Sequence, residues 1–189
     1  GIADGDEVVL PTFTFFATAG VVWRLGATPV FVDVDPVDYC MDPEHLAANI
    51  SDRTRAIIPV HLFGQAAAMD RIMEAAGDVR VVEDCAQAWG ADFNGAQVGS
   101  IGAMGAFSFF PSKNLGCFGD GGLVTTDDAE LNRSLRELRV HGQSGPYQHP
   151  VVGGNFRIDA LQAVIPPQLL AAVDIVVDGQ TQALDLHAG

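Results

Sequence analysis

Glu7-Val8-Val9-Leu10-Pro11-Thr12-Phe13-Thr14 opens the stretch that decides the fold. Residues 7–11 read as a buried strand ended by a proline. Residues 14–25 read as a helix, with Thr12 or Thr14 as its N-cap and Gly26 as its stop. Thr28-Pro29-Val30-Phe31-Val32-Asp33-Val34 returns as a second strand. The same alternation continues outward. Asp42 caps a short helix with Pro43 at its first position. Residues 56–60 form a third strand that runs into the loop His61-Leu62-Phe63-Gly64-Gln65. Residues 69–76 are helical, and 79–84, 103–109 and 122–126 are further strands. A helix from 127 to 140 carries Leu131, Leu135 and Leu138 on one face. Strands alternating with helices predict an α/β domain with a mostly parallel sheet covered on both faces. Ligands in such sheets sit beyond the carboxyl ends of strands. The loops after Pro11, Val60, Asp84 and Phe109 are therefore expected to share one edge.

Composition narrows the function. The chain has 189 residues, 48% hydrophobic and 18% charged, with a net charge of −14 and a pI of about 4.4. That is a globular balance with enough chain for one real core. Such a charge repels nucleic-acid phosphates and anionic membrane surfaces, and no basic stripe offsets it. Neither nucleic acid nor membrane is an expected partner. Cys40, Cys85 and Cys117 make no zinc spacing and read as small buried hydrophobes in a reducing compartment. No metal is expected. No apolar run is long enough to span a bilayer and no signal peptide opens the chain, so the expected location is cytoplasmic. The abrupt start at Gly1-Ile2-Ala3-Asp4 suggests a missing N-terminus.

Lys113 is the only lysine, against nine arginines. A primary amine can lose a proton and attack a carbonyl, which guanidinium cannot. A lone surface lysine in an arginine-biased genome is the plainer alternative. The setting favours chemistry: Phe107-Ser108-Phe109-Phe110-Pro111-Ser112-Lys113-Asn114-Leu115-Gly116 puts the amine just past an aromatic strand, before the turn Gly119-Asp120-Gly121-Gly122. Apolar surroundings favour a Schiff base by lowering an amine's pKa. Ser108, Ser112 and the turn N–H groups suit a phosphate. Asp84 ends an apolar strand, where a carboxylate is costly unless it meets a cation. It is either an edge acid or cap, or the partner of a pyridinium nitrogen. Gln87, three residues on, could reach a phenolic oxygen.

Glu83-Asp84-Cys85-Ala86-Gln87-Ala88 followed by the Lys113 block resembles the DegT/DnrJ/EryC1/StrS family. So do Gly5-Asp6-Glu7-Val8, Pro11-Thr12-Phe13-Thr14-Phe15, Pro59-Val60-His61-Leu62-Phe63-Gly64-Gln65 and Gly154-Asn155-Phe156-Arg157. The blocks run in order from about Gly5 to about Val164. The resemblance implies a type I fold of pyridoxal-phosphate (PLP) transferases, aspartate-aminotransferase-like in its large domain. It implies amino transfer from glutamate or glutamine to a nucleotide-linked keto sugar. It also implies roles: Lys113 holds PLP as a Schiff base and shuttles the proton, and Asp84 pairs with the ring nitrogen. Gln87 contacts the ring oxygen and Ser108 the phosphate. Phe15 stacks on the ring or is an ordinary core phenylalanine. Asn155 reaches the phosphate of a neighbouring subunit in a homodimer, or is a loop asparagine. His61 is structural, and His141 is left without a role.

Two departures shape the expected domains. The family's phosphate-binding turn before Gly1 is absent, and its helix after Asp159-Ala160-Leu161-Gln162-Ala163 meets Ile165-Pro166-Pro167, which cannot continue it. Residues 1–165 are expected to be a partial PLP-binding large domain, incomplete at both ends. Residues 166–189 are expected to be a tail unlike the family, with a reading frame shifted near Val164; resequencing the gene checks this. The alternatives are an inactive truncated remnant, or elimination or dehydration on the same fold. Dehydratase relatives carry histidine in place of the lysine, so Lys113 argues for transamination.

Overall fold

The computed structural model describes residues 1–165, together with the backbone of 175–177 and 180–182. Two compact units divide the chain, Gly1–Phe107 and Ser108–Gly189.

The first unit alternates strands and helices as the hydrophobic pattern predicts. Its elements are β1 (Glu7–Pro11), α1 (Phe16–Arg24), β2 (Thr28–Val32), α2 (Pro43–Asn49), β3 (Thr54–Ile57), α3 (Met69–Ala76), β4 (Arg80–Asp84), the short β5 (Asp92–Phe93) and β6 (Ala96–Gln97), and β7 (Met104–Ser108). Strands β2, β1, β3, β4 and β7 lie side by side in that order. Each of these pairings is parallel, for example Val9 with Val30 and with Ile57, and Asp84 with Ala106. The loops after Pro11, Val60 and Asp84 accordingly leave the same edge of the sheet.

Side-chain alternation sorts the core into two layers. Val8, Leu10 and Ala56 pack with Val22 of α1 on one face. Val9, Ile57 and Val81 face the other way, into Leu46 of α2 and Met69 and Ile72 of α3. Helices on both faces are what a parallel sheet requires, because neither face can stay wet. α1 is only partly covered: Thr18 and Val22 are buried, while Phe16 and Trp23 are exposed.

Local chemistry explains most boundaries. Asp42 accepts from the N–H groups of Glu44 and His45, with Pro43 in the first turn, so α2 starts where the sequence indicates. Gly26 donates to the Trp23 carbonyl and ends α1. The expected cap of α1 is different. Phe15 occupies the N-cap and makes no side-chain cap bond, because the Thr14 hydroxyl is bonded to that of Thr18, 2.9 Å away. The third strand ends at Ile57, ahead of Pro59, and Val60 contributes an isolated bridge to Asp84. The β5–β6 hairpin was not anticipated. Its turn, Asn94-Gly95, has φ of 55° and 84°, the mirror-image turn that this dipeptide favours.

In the second unit, β8 (Gly122–Thr125) precedes α4 (Ala129–Leu138), which Asp128 caps through the N–H groups of Glu130 and Leu131. No residue of α4 is fully buried; Leu131 and Leu135 are half-buried and Leu138 is exposed. α5 (Ala160–Ala163) ends at Val164, ahead of the proline pair. The backbone of β9 (Ile175–Val177) and β10 (Gln180–Gln182) forms an antiparallel ladder. The expectation of a tail unlike the family otherwise falls on residues outside the described ones. Among the described residues no helix is long and apolar enough to cross a membrane.

Ile72 is fully buried between α3 and the sheet. Ile72→Ala should destabilise the chain by about 3 kcal/mol, the usual cost of such a cavity, as read by a lowered denaturant midpoint in chemical unfolding.

Candidate active site

Two adjacent acids end β4, and the strand's period of two sends them to opposite faces. Glu83 falls on the Val81 side and is fully buried. Asp84 falls on the other side and is half-buried.

Glu83 is held by four N–H donors. One carboxylate oxygen accepts from His61 Nε2 at 3.0 Å and the Gly99 N–H at 2.7 Å; the other accepts from Ile101 at 2.8 Å and Gly102 at 2.7 Å. His61 Nδ1 in turn accepts the Ala67 N–H at 3.1 Å, which fixes the ring proton on Nε2, facing Glu83. His61 is therefore structural, as the sequence suggests. Burial pushes the Glu83 carboxyl up, but the bonds from His61 and from the backbone of Gly102, Gly99 and Ile101 outweigh it, and the net direction is down. Cys85 lies close enough to complete a possible metal-binding trio with these two. The acceptor capacity of both is already spent on N–H groups. The Cys85 thiol is driven up by burial and by the charges of Glu83 and Asp84, so it stays protonated.

Asp84 is set differently. Its Oδ2 accepts the Thr18 hydroxyl at 2.9 Å and its Oδ1 accepts the Ala86 N–H at 3.1 Å. It pairs with no cation among the described residues. Gln87, on the same segment, uses its Oε1 to accept the N–H of Phe63, whose φ is 54°. Its Nε2 hydrogens remain as donors. Phe15, at the N-terminus of α1, is 75% exposed.

In the second unit the Lys113 loop is closed by backbone bonds. The Phe109 carbonyl accepts from Cys117 at 2.7 Å, its N–H donates to Gly121 at 2.8 Å, and the Lys113 N–H donates to Phe110 at 2.9 Å. Phe109, Leu115 and Cys117 turn inward, while Lys113 stays half-buried. Gly116 permits this path, since a Cβ there would lie 2.5 Å from the Pro111 carbonyl oxygen. Ser108 Oγ accepts the Phe110 N–H at 3.2 Å and keeps its own proton to donate. Asn155 is exposed, bridges to Val140, and accepts from the Arg157 N–H at 3.4 Å.

Thr18 was missed from the sequence. Thr14 and Thr18 share a helical spacing, but the partner of Thr18 is 66 residues away and leaves no local signal. Glu83 was also passed over, although an acid at a core position of an apolar strand implies a buried partner set.

Ligands of parallel α/β units bind beyond the carboxyl ends of the strands, and Asp84 lies at such an end, with no cation paired to it among the described residues. The chain belongs to the DegT/DnrJ/EryC1/StrS aminotransferase family, whose model matches residues 1–188. It is 54% identical over 189 residues to the UDP-N-acetyl-3-dehydro-alpha-D-glucosamine 3-aminotransferase of Acidithiobacillus ferrooxidans, covering 99% of this chain and 51% of that protein. The crystal structure of DesV from S. venezuelae in complex with a ketimine intermediate superposes with a TM-score of 0.86 at 45% identity, covering 90% of this chain and 46% of that one. The NtdA structure from Bacillus subtilis, with bound cofactor PMP, gives 0.81 at 33% identity, covering 88% and 38%. The chain spans about half the length of the curated relatives it matches.

Because the folded Glu83 carboxyl sits below its ordinary value near 4.5, its contribution is present above that pH and is lost as pH falls through the folded value. Glu83→Gln puts an amide N–H₂ against N–H donors and should cost about 3 kcal/mol near neutrality. The gap between parent and variant in urea unfolding should narrow below about pH 4.5.

Proposed function

We propose that this chain carries the cofactor-binding core of a PLP-dependent aminotransferase that moves an amino group from glutamate or glutamine to a nucleotide-linked keto sugar. The observation that carries this reading is Asp84: a half-buried carboxylate at a strand end, held by Thr18 and Ala86 and lacking a cation among the described residues. The donor set suits the cofactor. Asp84 offers a counter-charge for a protonated ring nitrogen, Gln87 offers amide hydrogens to a ring oxygen, and Ser108 keeps a hydroxyl proton for a phosphate. Phe15 offers an exposed ring for stacking. Bound PLP supplies an electron-accepting ring that stabilises charge at the substrate carbon.

The protein groups do the rest. The Lys113 Nζ would hold the cofactor by condensing with its aldehyde and releasing water, which needs a primary amine, and the chain has no other lysine. Once freed, the same amine would take the proton from the substrate α-carbon and return it later, as base and then acid. Asp84 holds the proton on the ring nitrogen throughout. Relatives named for UDP- and dTDP-linked amino sugars support the substrate class, and a place in amino-sugar, polysaccharide or antibiotic biosynthesis is part of the proposal. The proposed location is the cytoplasm. Asn155 matches the family asparagine that reaches a neighbouring subunit, so a homodimer is part of the proposal.

Mixing the chain with PLP should give a yellow band. Borohydride reduction should then leave a pyridoxyl mass on the Lys113 peptide. Lys113→Ala should abolish both. A colourless parent with no adduct would favour the inactive remnant instead.

A further inference from the structure

Thr18 is buried in the first turn of α1, yet it makes no cap. Its hydroxyl donates to Asp84 Oδ2 at 2.9 Å, and a hydroxyl has only one proton to give. The Thr14 hydroxyl, 2.9 Å away, must then be the donor to Thr18. The result is a one-way chain, Thr14 to Thr18 to Asp84, in which each bond polarises the next. The other Asp84 oxygen accepts from the Ala86 N–H. The carboxylate is thus clamped from two sides, one bond per oxygen, and each oxygen keeps a lone pair for an incoming N–H.

We infer that Thr18 is a positioning residue for cofactor binding, orienting the Asp84 carboxylate toward the ring nitrogen through a hydroxyl relay that begins at Thr14. The inference rests on the reading of Asp84 as the ring-nitrogen partner. Without the Thr18 proton the carboxylate keeps only the Ala86 bond and loses one that stabilises its charge. The cofactor must then order it on binding.

The test is titration of the chain with PLP, read by the visible band, alongside thermal melts without PLP. Thr18→Val keeps the branched shape and removes the hydroxyl; Thr18→Ser does the reverse. Thr18→Val should raise the PLP dissociation constant about tenfold, the scale of one hydrogen bond to a charged group. Thr18→Ser should bind within about twofold of the parent. Thr14→Val, one step further out, should show a smaller loss in the same direction, and it serves if Thr18→Val does not fold. Asp84→Asn separates the two levels of the argument. If Asp84→Asn weakens binding while Thr18→Val and Thr14→Val match the parent, the relay is overturned and the role of Asp84 stands. If Asp84→Asn binds like the parent, both fall. If Thr18→Val binds well and Thr18→Ser poorly, the side chain acts by packing, and the inference is wrong.

Discussion

A fully buried carboxylate with every acceptor position filled fixes the end of β4, and the candidate site depends on it. Glu83 ties three separate segments together: the loop after β3 through His61, the strand itself, and the turn before β7 through Gly99, Ile101 and Gly102. A charge in that position is tolerable only because the donors are complete. Removing any one would leave the desolvation cost with less to offset it. The network is therefore rigid, and it sets the position of the residue that follows it in the chain.

That residue is Asp84, and the alternation of a strand turns rigidity on one face into orientation on the other. The side facing α2 and α3 takes Glu83 into a closed structural network. The opposite side presents Asp84 to α1, with one hydrogen bond to each oxygen and no counter-ion among the described residues. Two neighbouring residues of the same type thus acquire different work. One is locked by its partners, and the other is held but left with capacity to bind. The Lys113 loop is arranged in a similar way, with Phe109, Leu115 and Cys117 facing inward and Ser112, Lys113 and Asn114 half-buried or exposed.

Much of this was legible beforehand. Asp42-Pro43 announced α2 because cap and proline act locally. Lys113 stood out because amine chemistry belongs to the residue itself. The Asn94-Gly95 turn was equally local and could have been read, since few other dipeptides accept two positive φ angles. The α1 cap was misjudged for a different reason. Thr14 has the right chemistry for a cap, but its hydroxyl is engaged by Thr18, whose own hydroxyl is turned to Asp84.

The sequence by itself determined the main alternation of strands and helices, the parallel α/β class, and the lysine and acid candidates. Those depend on periodicity and on chemistry carried within a few residues. Only the tertiary structure decided which of two adjacent acids is buried and which is presented, and which hydroxyl orients it. Those outcomes depend on partners 22 residues away for Glu83 and 66 for Asp84. Strand register and helix placement bring such partners together, and no local pattern encodes a hydrogen bond across that distance.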